Sequence, residues 1–168
     1  AYTAVSYLIG KGRKRIAHIG GSNSLYVSRK RREGFEAALQ DNNIPLHPEY
    51  VVIGGYHEED GRAAARKLCS LDPLPDAIFA INDPVALGAY IHLRDSGVTI
   101  PDEIALVGFS NNPNTTLIKP QLTTVSQPAF EMGKTAAAML LKKLAVSSSV
   151  DKTETVVLKT ELVIRESA

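Results

Sequence analysis

The stretch PDAIFAINDPVALGAYIHLRDSGVTIPDEIALVGFSNNP, residues 75–113, decides the fold. Residues 77–81 form a continuous apolar run, which fits a strand buried on both faces. A helix starts directly after it: Asp83 fits the N-cap, and Pro84 fits the first helical position, where a missing N–H costs nothing. Gly97 stops that helix after Leu93, Pro101 breaks the chain, and residues 104–107 repeat the buried-strand pattern. A strand, a helix and a second strand in such close succession predict two parallel strands with the helix lying across one face.

The alternation extends in both directions. Upstream, residues 15–19 read as a short strand ending in Gly20-Gly21-Ser22, and a helix follows Ser28 with Phe35, Ala38 and Leu39 on one face. Residues 50–53 read as a strand closed by Gly54-Gly55, and residues 58–70 as a helix. Downstream, residues 108–121 form a loop with one helical turn, 122–125 a short strand, and 128–145 a long helix with Met132, Ala136, Met139 and Leu140 as its stripe. A serine loop at 147–149 and a strand over 155–164 complete the chain. Repeated βα units predict an α/β domain, a parallel sheet with helices on both faces. Only the helix at 128–145 breaks the rhythm. The sequence opens on Ala1 rather than Met and is already helical in pattern (Ala4, Val5, Leu8, Ile9), so it reads as a piece of a longer protein.

Composition narrows the function classes. The 168 residues carry 19 Lys+Arg against 18 Asp+Glu, and the resulting charge of +1 supplies no global attraction to nucleic acid or a membrane surface. No apolar run approaches the roughly 20 residues of a membrane-spanning helix. Cys69 stands alone, so no intramolecular disulfide is expected.

In an open α/β sheet, ligands bind outside the carboxyl ends of the strands. Those ends deliver Gly21-Ser22-Asn23, Gly55-Tyr56-His57, Asn82-Asp83, Phe109-Ser110-Asn111 and Ser126-Gln127. Nearly all are neutral hydrogen-bonding groups, a rim suited to a neutral polar ligand whose apolar face an aromatic could cover. Arg31 sits one turn into a predicted helix, where a cation opposes the helix dipole, and this argues for a use beyond solvation. Asp83 reads as a cap, while Asn82 and Tyr56 stay open between local structure and ligand contact. Among motifs for chemistry, no Ser/His/Asp spacing, metal-ligand His pair, G-x-G-x-x-G or P-loop lysine is present, so no catalytic residue, metal or cofactor is expected. His18 within a strand and His92 within a helix read as structural. The basic runs at 11–15 and 29–32 have no interleaved aromatics, and the second fans out around a helix, so neither is expected to contact nucleic acid.

The segments YLIGKGRKRIAHIGG (7–21), SRKRREGFEAAL (28–39), the 75–113 stretch, PQLTTVSQPAFEMGKTAA (120–137) and LVIRES (162–167) resemble, in order, the effector-binding region of LacI/GalR-family transcriptional regulators. The resemblance implies a type I periplasmic-binding-protein fold in which two subdomains close on a small effector, often a sugar or a purine. It also implies a cytoplasmic homodimer, with no membrane, that holds operator DNA through an N-terminal helix-turn-helix outside this chain. Arg31 matches the family's effector-binding arginine, Tyr56 its stacking aromatic, Asn82 a common polar ligand and Gln127 a position near the crossovers between subdomains. Ser110 stands where the family commonly has an aspartate that takes two ligand hydroxyls, which puts a standard hexose contact in doubt.

The same resemblance divides the chain into most of the C-terminal subdomain (1–126), a crossing helix belonging to the other subdomain (127–146), and a loop with a return strand (147–168). The expected function is effector binding and dimerisation in such a regulator; the alternative is a sugar-binding protein of a transport system, which shares the fold. Without its partner, the stripe on the crossing helix is expected to pack on its own subdomain, swap into another copy or fray. Burying it is worth several kcal/mol at roughly 25 cal/mol per Å².

Overall fold

The computed structural model describes residues 1–145 and 154–168; the serine loop expected at 147–149 lies outside them. The elements are α1 (Tyr2–Gly10), β1 (Ile16–Gly20), α2 (Tyr26–Asp41), β2 (Val51–Ile53), α3 (Glu58–Leu68), β3 (Ala77–Ala80), α4 (Asp83–Asp95), β4 (Ala105–Ser110), β5 (Thr123–Ser126), α5 (Ala129–Ala145) and β6 (Glu161–Val163). One sheet runs β2-β1-β3-β4-β5-β6. Its first five strands are parallel, and β6 pairs antiparallel to β5. The strand order reverses between β1 and β3, which places a crevice outside their carboxyl ends.

Period-two alternation builds two cores. Ala17 and Ile19 of β1, Ile78 and Ala80 of β3 and Leu106 of β4 face α3 and α4, while Ile16, Ala77, Phe79, Ala105 and Val107 face α1 and α2. Both faces of the sheet are therefore covered, as the continuous apolar strands require. On one face α3 and α4 approach until backbones touch. A methyl group on Gly61 would land on the Val85 carbonyl, and one on Gly88 on the Glu58 carbonyl.

His18 sits in the α1–α2 core, fully buried, with its ring stacked between Phe35 and Phe79 at 5.1 and 5.2 Å. Its Nδ1 donates to the Phe79 carbonyl at 2.9 Å, and Nε2 has no partner among the described residues. Burial pulls its pKa down to about 4 from the usual 6.5. Below pH 6.5 the unfolded chain takes up a proton that the folded chain refuses until about pH 4, so stability is whole above 6.5 and declines as pH falls. The expected slope is up to about 1.4 kcal/mol per pH unit. Urea midpoints measured across that range should fall with pH in the native chain more steeply than in His18→Leu; parallel slopes would refute the assignment.

The C-terminal segment returns to the sheet after β6. Ser167 wedges between β4 and β5: its amide donates to Gln121 O at 3.0 Å, its carbonyl accepts from Leu106 N at 2.7 Å, and its hydroxyl bridges Leu106 O and Thr123 N at 2.6 and 2.8 Å. This anchoring holds Arg165 beside the start of β5 and the loop that follows β4.

Four expectations change. The strand expected over 155–164 pairs only at Glu161–Val163, because β5 offers just Thr124, Val125 and Ser126 as partners. Its antiparallel direction departs from an all-parallel sheet. Helix α2 begins at Tyr26, before the expected Ser28 boundary, and without a side-chain cap. Finally, α5 neither frays over its described length nor folds back on the sheet, whose faces are already occupied. It buries no residue. Met132, Ala136 and Met139 face the extended segment at Val156, Val157 and Leu158, and Leu140 stays 59% exposed.

Candidate functional site

The crevice at the β1/β3 switch point gathers side chains from α2, from the ends of β2, β3, β4 and β5, and from the C-terminal segment. Arg31, on the second turn of α2, reaches across the ends of β3 and β4. Its Nη1 donates to the Ile81 carbonyl at 2.5 Å and its Nη2 to Gln127 Oε1 at 3.4 Å. The guanidinium lies 3.8 Å from the centroid of the Phe109 ring, a close cation–π contact. Burial lowers its pKa to about 10, against the pull of Asp83 and Tyr56, so it remains a cation at neutral pH.

Ser110 closes β4 with φ at 124°, and Asn111 follows at 56°. Both lie where an L side chain is strained, so neighbouring contacts must hold this corner. Ser110 Oγ donates to Gln127 Oε1 at 3.3 Å, and Gln127 thus joins Ser110 to Arg31. Arg165 supports the corner from below, with Nη2 donating to Asn111 Oδ1 at 2.8 Å and Nη1 to Leu122 O at 2.7 Å and Thr115 Oγ1 at 3.0 Å.

Tyr56, in the loop after β2, lays its ring on Gly21, where a side chain would collide with it, and its hydroxyl pairs with Ser28 Oγ at 2.7 Å. Asn82 is engaged at both ends of its amide: Oδ1 accepts from Val85 N and Nδ2 donates to Tyr56 O, each at 2.9 Å. Asn82 is therefore the N-cap of α4, and Asp83 is not. Asp83 is instead a buried acceptor. Its Oδ1 takes the Thr124 hydroxyl and its Oδ2 the Asn112 amide, each at 2.6 Å. Burial raises its pKa, and those bonds and the Arg165 charge pull against the rise. Asp83→Ala would strand both donors, and a loss of roughly 2–3 kcal/mol in denaturant unfolding is expected; an unchanged midpoint would contradict this.

Of the residues named from sequence, Gln127 bonds both Arg31 and Ser110, and Tyr56 and Asn82 share the adjacent loop junction. Phe109 and Arg165 were not singled out. Phe109 stood among the strand ends, whereas nothing local marks Arg165. The basic run at 29–32 does fan out: Arg29 bonds Asn23 O, Lys30 pairs with Glu33 and Arg32 with Glu36. Among the described residues no group of His, Cys, Asp and Glu is placed to hold a metal ion, and no helix is long and apolar enough to cross a membrane.

Residues 5–168 match the periplasmic binding protein-like domain family. The chain is 35% identical to the HTH-type transcriptional repressor PurR of Histophilus somni over 99% of its own length and 49% of that protein's. It thus spans about half the length of the curated relatives it matches. Among solved structures, it superposes on the transcriptional regulator CelR in complex with cellobiose at a TM-score of 0.89 and 32% identity, covering 98% of this chain and 50% of that one. A LacI-family regulator from Enterococcus faecium with bound ribose gives 0.86 and 29%, covering 99% and 60%. These relatives are regulators rather than enzymes. Sequence, fold and relatives agree, and the chain belongs to the periplasmic binding protein-like domain family, in the form found in LacI-type transcriptional regulators.

Proposed function

We propose that this chain forms one wall of the effector cleft in a LacI-type transcriptional regulator. A small polar, sugar-like effector binds at the strand ends, and cleft closure controls operator binding by a helix-turn-helix elsewhere in the protein. The convergence of Arg31, Ser110 and Gln127 at the switch point carries this reading. Cellobiose and ribose in the similar structures support a sugar-like ligand, and the helix-turn-helix type of the PurR relative supports operator DNA as partner. The relatives favour the regulator over a transport protein of the same fold.

In this account residues 1–126 belong to one subdomain, the segment from Gln127 through α5 crosses to a second, and β6 returns. The second subdomain covers the exposed stripe of α5, and the protein works in the cytoplasm as a homodimer. Fluorescence anisotropy of the full-length protein on DNA from its own upstream region should show a sugar-dependent change in affinity. DNA affinity indifferent to every sugar tried would refute the proposal. The 168-residue chain alone, with one wall of the cleft, should bind the same sugar no tighter than about millimolar; micromolar binding measured by calorimetry would contradict the two-wall account.

A further inference from the structure

Ser110 and Asn111 form a strained corner of the rim, with φ at 124° and 56°. Such angles cost an L residue energy and persist only where the surroundings over-determine them. The corner also has to be precise, because the Ser110 hydroxyl reaches Gln127 Oε1 from it. Bonds from outside hold it. Asp83 Oδ2 accepts the Asn112 amide at 2.6 Å, and Thr124 Oγ1 accepts the Asn111 amide at 3.3 Å. The Asn111 side chain is gripped at both ends: Nδ2 donates to Ser126 Oγ at 3.4 Å, and Oδ1 accepts from Arg165 Nη2 at 2.8 Å.

Of these two side-chain bonds, the one from Arg165 is both shorter and charge-assisted, so it dominates the orientation of the Asn111 amide. Arg165 is itself fixed. Its Nη1 reaches Leu122 O and Thr115 Oγ1 further along the same loop, and its backbone amide donates to Thr123 Oγ1 at 2.9 Å. Two residues on, Ser167 is fully buried and bonded to both Leu106 and Thr123. The guanidinium therefore clasps the loop at its start, middle and end. Without the clasp the corner can relax toward ordinary backbone angles, and Ser110 then leaves its place beside Gln127. A hydrogen bond weakens steeply under such a change of distance or angle.

We infer that Arg165 is a positioning residue of the effector site: without touching the effector, it sets effector affinity by clamping Asn111, and through it Ser110, in place at the rim. The segment after β6 thereby belongs to the binding machinery, although Arg165 lies 54 positions from Asn111. The inference rests on the effector reading above and extends that site to a residue behind it.

Calorimetry on the full-length protein with ribose, glucose and cellobiose tests it, at a temperature well below the melting point of each variant. Arg165→Ala should bind the sugar about tenfold or more weakly than the parent, the loss expected for one charge-assisted bond. Leu68→Ala, a truncation in the buried core under α3, lowers stability away from the rim and should bind like the parent. Hydrogen exchange in the peptide spanning residues 108–114 should quicken more in Arg165→Ala than in Leu68→Ala. Should Arg165→Ala fail to fold, Asn111→Ala carries the same test, for it removes the acceptor and leaves Arg165 its bonds to Leu122 and Thr115. Parent-like affinity in the folded variant, or an equal loss in Leu68→Ala, overturns the inference and leaves the effector reading standing. A parent protein that binds none of the three sugars overturns the sugar reading and this inference with it.

Discussion

Arg31→Ala in the full-length regulator is expected to weaken effector binding by roughly thirtyfold or more, the range of about 2–5 kcal/mol for truncating one partner of a buried charge-assisted contact. The effector-dependent shift in operator affinity should disappear, while operator affinity without effector stays unchanged. The same change also releases the Ile81 carbonyl and uncovers Phe109, so some stability is lost as well. That loss should be small, about 1 kcal/mol, because the carbonyl gains water where the guanidinium lay. Arg31→Lys separates the two effects. It keeps the charge near Phe109 but not the planar fork, so it should restore stability more fully than affinity. Titrations of operator complexes with and without effector, beside thermal melts, read both quantities. An unchanged response in Arg31→Ala would remove this residue from the site.

Gly88→Val is expected to have the largest effect on folding. The helices α3 and α4 cross with Gly61 against Val85 backbone and Gly88 against Glu58 and Arg62 backbone. A side chain at Gly88 meets main-chain atoms that cannot rotate away, so the helices must separate. That separation opens the core formed by Ala64, Ala65, Ala86 and Ala89. Overpacking alone costs about 1–3 kcal/mol, and a β-branched residue forced against a helix backbone should exceed that range, by enough to unfold a marginal domain. Gly133→Ala supplies the contrast. This glycine lies mid-helix in α5 with nothing within 4 Å, so alanine should favour the helix by about 0.5–1 kcal/mol. Circular dichroism through urea unfolding would show the opposite signs; a Gly88→Val protein as stable as the parent would refute the close crossing.

The βαβ core was legible because punctuation is local. Pro84 and Gly97 bracket α4, and the apolar runs on either side admit buried strands and little else. Strand order then placed the rim, and Arg31 stood out as a cation close to a helix start. What escaped was set by distant partners. Asn82 and Asp83 are both good capping residues, and the sequence around them cannot reveal that Asp83 is claimed by Asn112, 29 positions on, and Thr124, 41 positions on. Arg165 likewise gains its role from Asn111, 54 residues away. The length of β6 depends on how few residues β5 offers, and the course of α5 depends on both sheet faces being full. Such facts belong to the assembled sheet, and no periodicity encodes them.

The most direct measurement is a crystal structure of the full-length protein with its effector. Binding at this rim predicts ligand oxygens within about 3 Å of the Arg31 guanidinium and of Ser110 or Gln127, with the stripe of α5 covered by a second subdomain. A ligand bound elsewhere, with Arg31 still bonded only to Ile81 and Gln127, would contradict it.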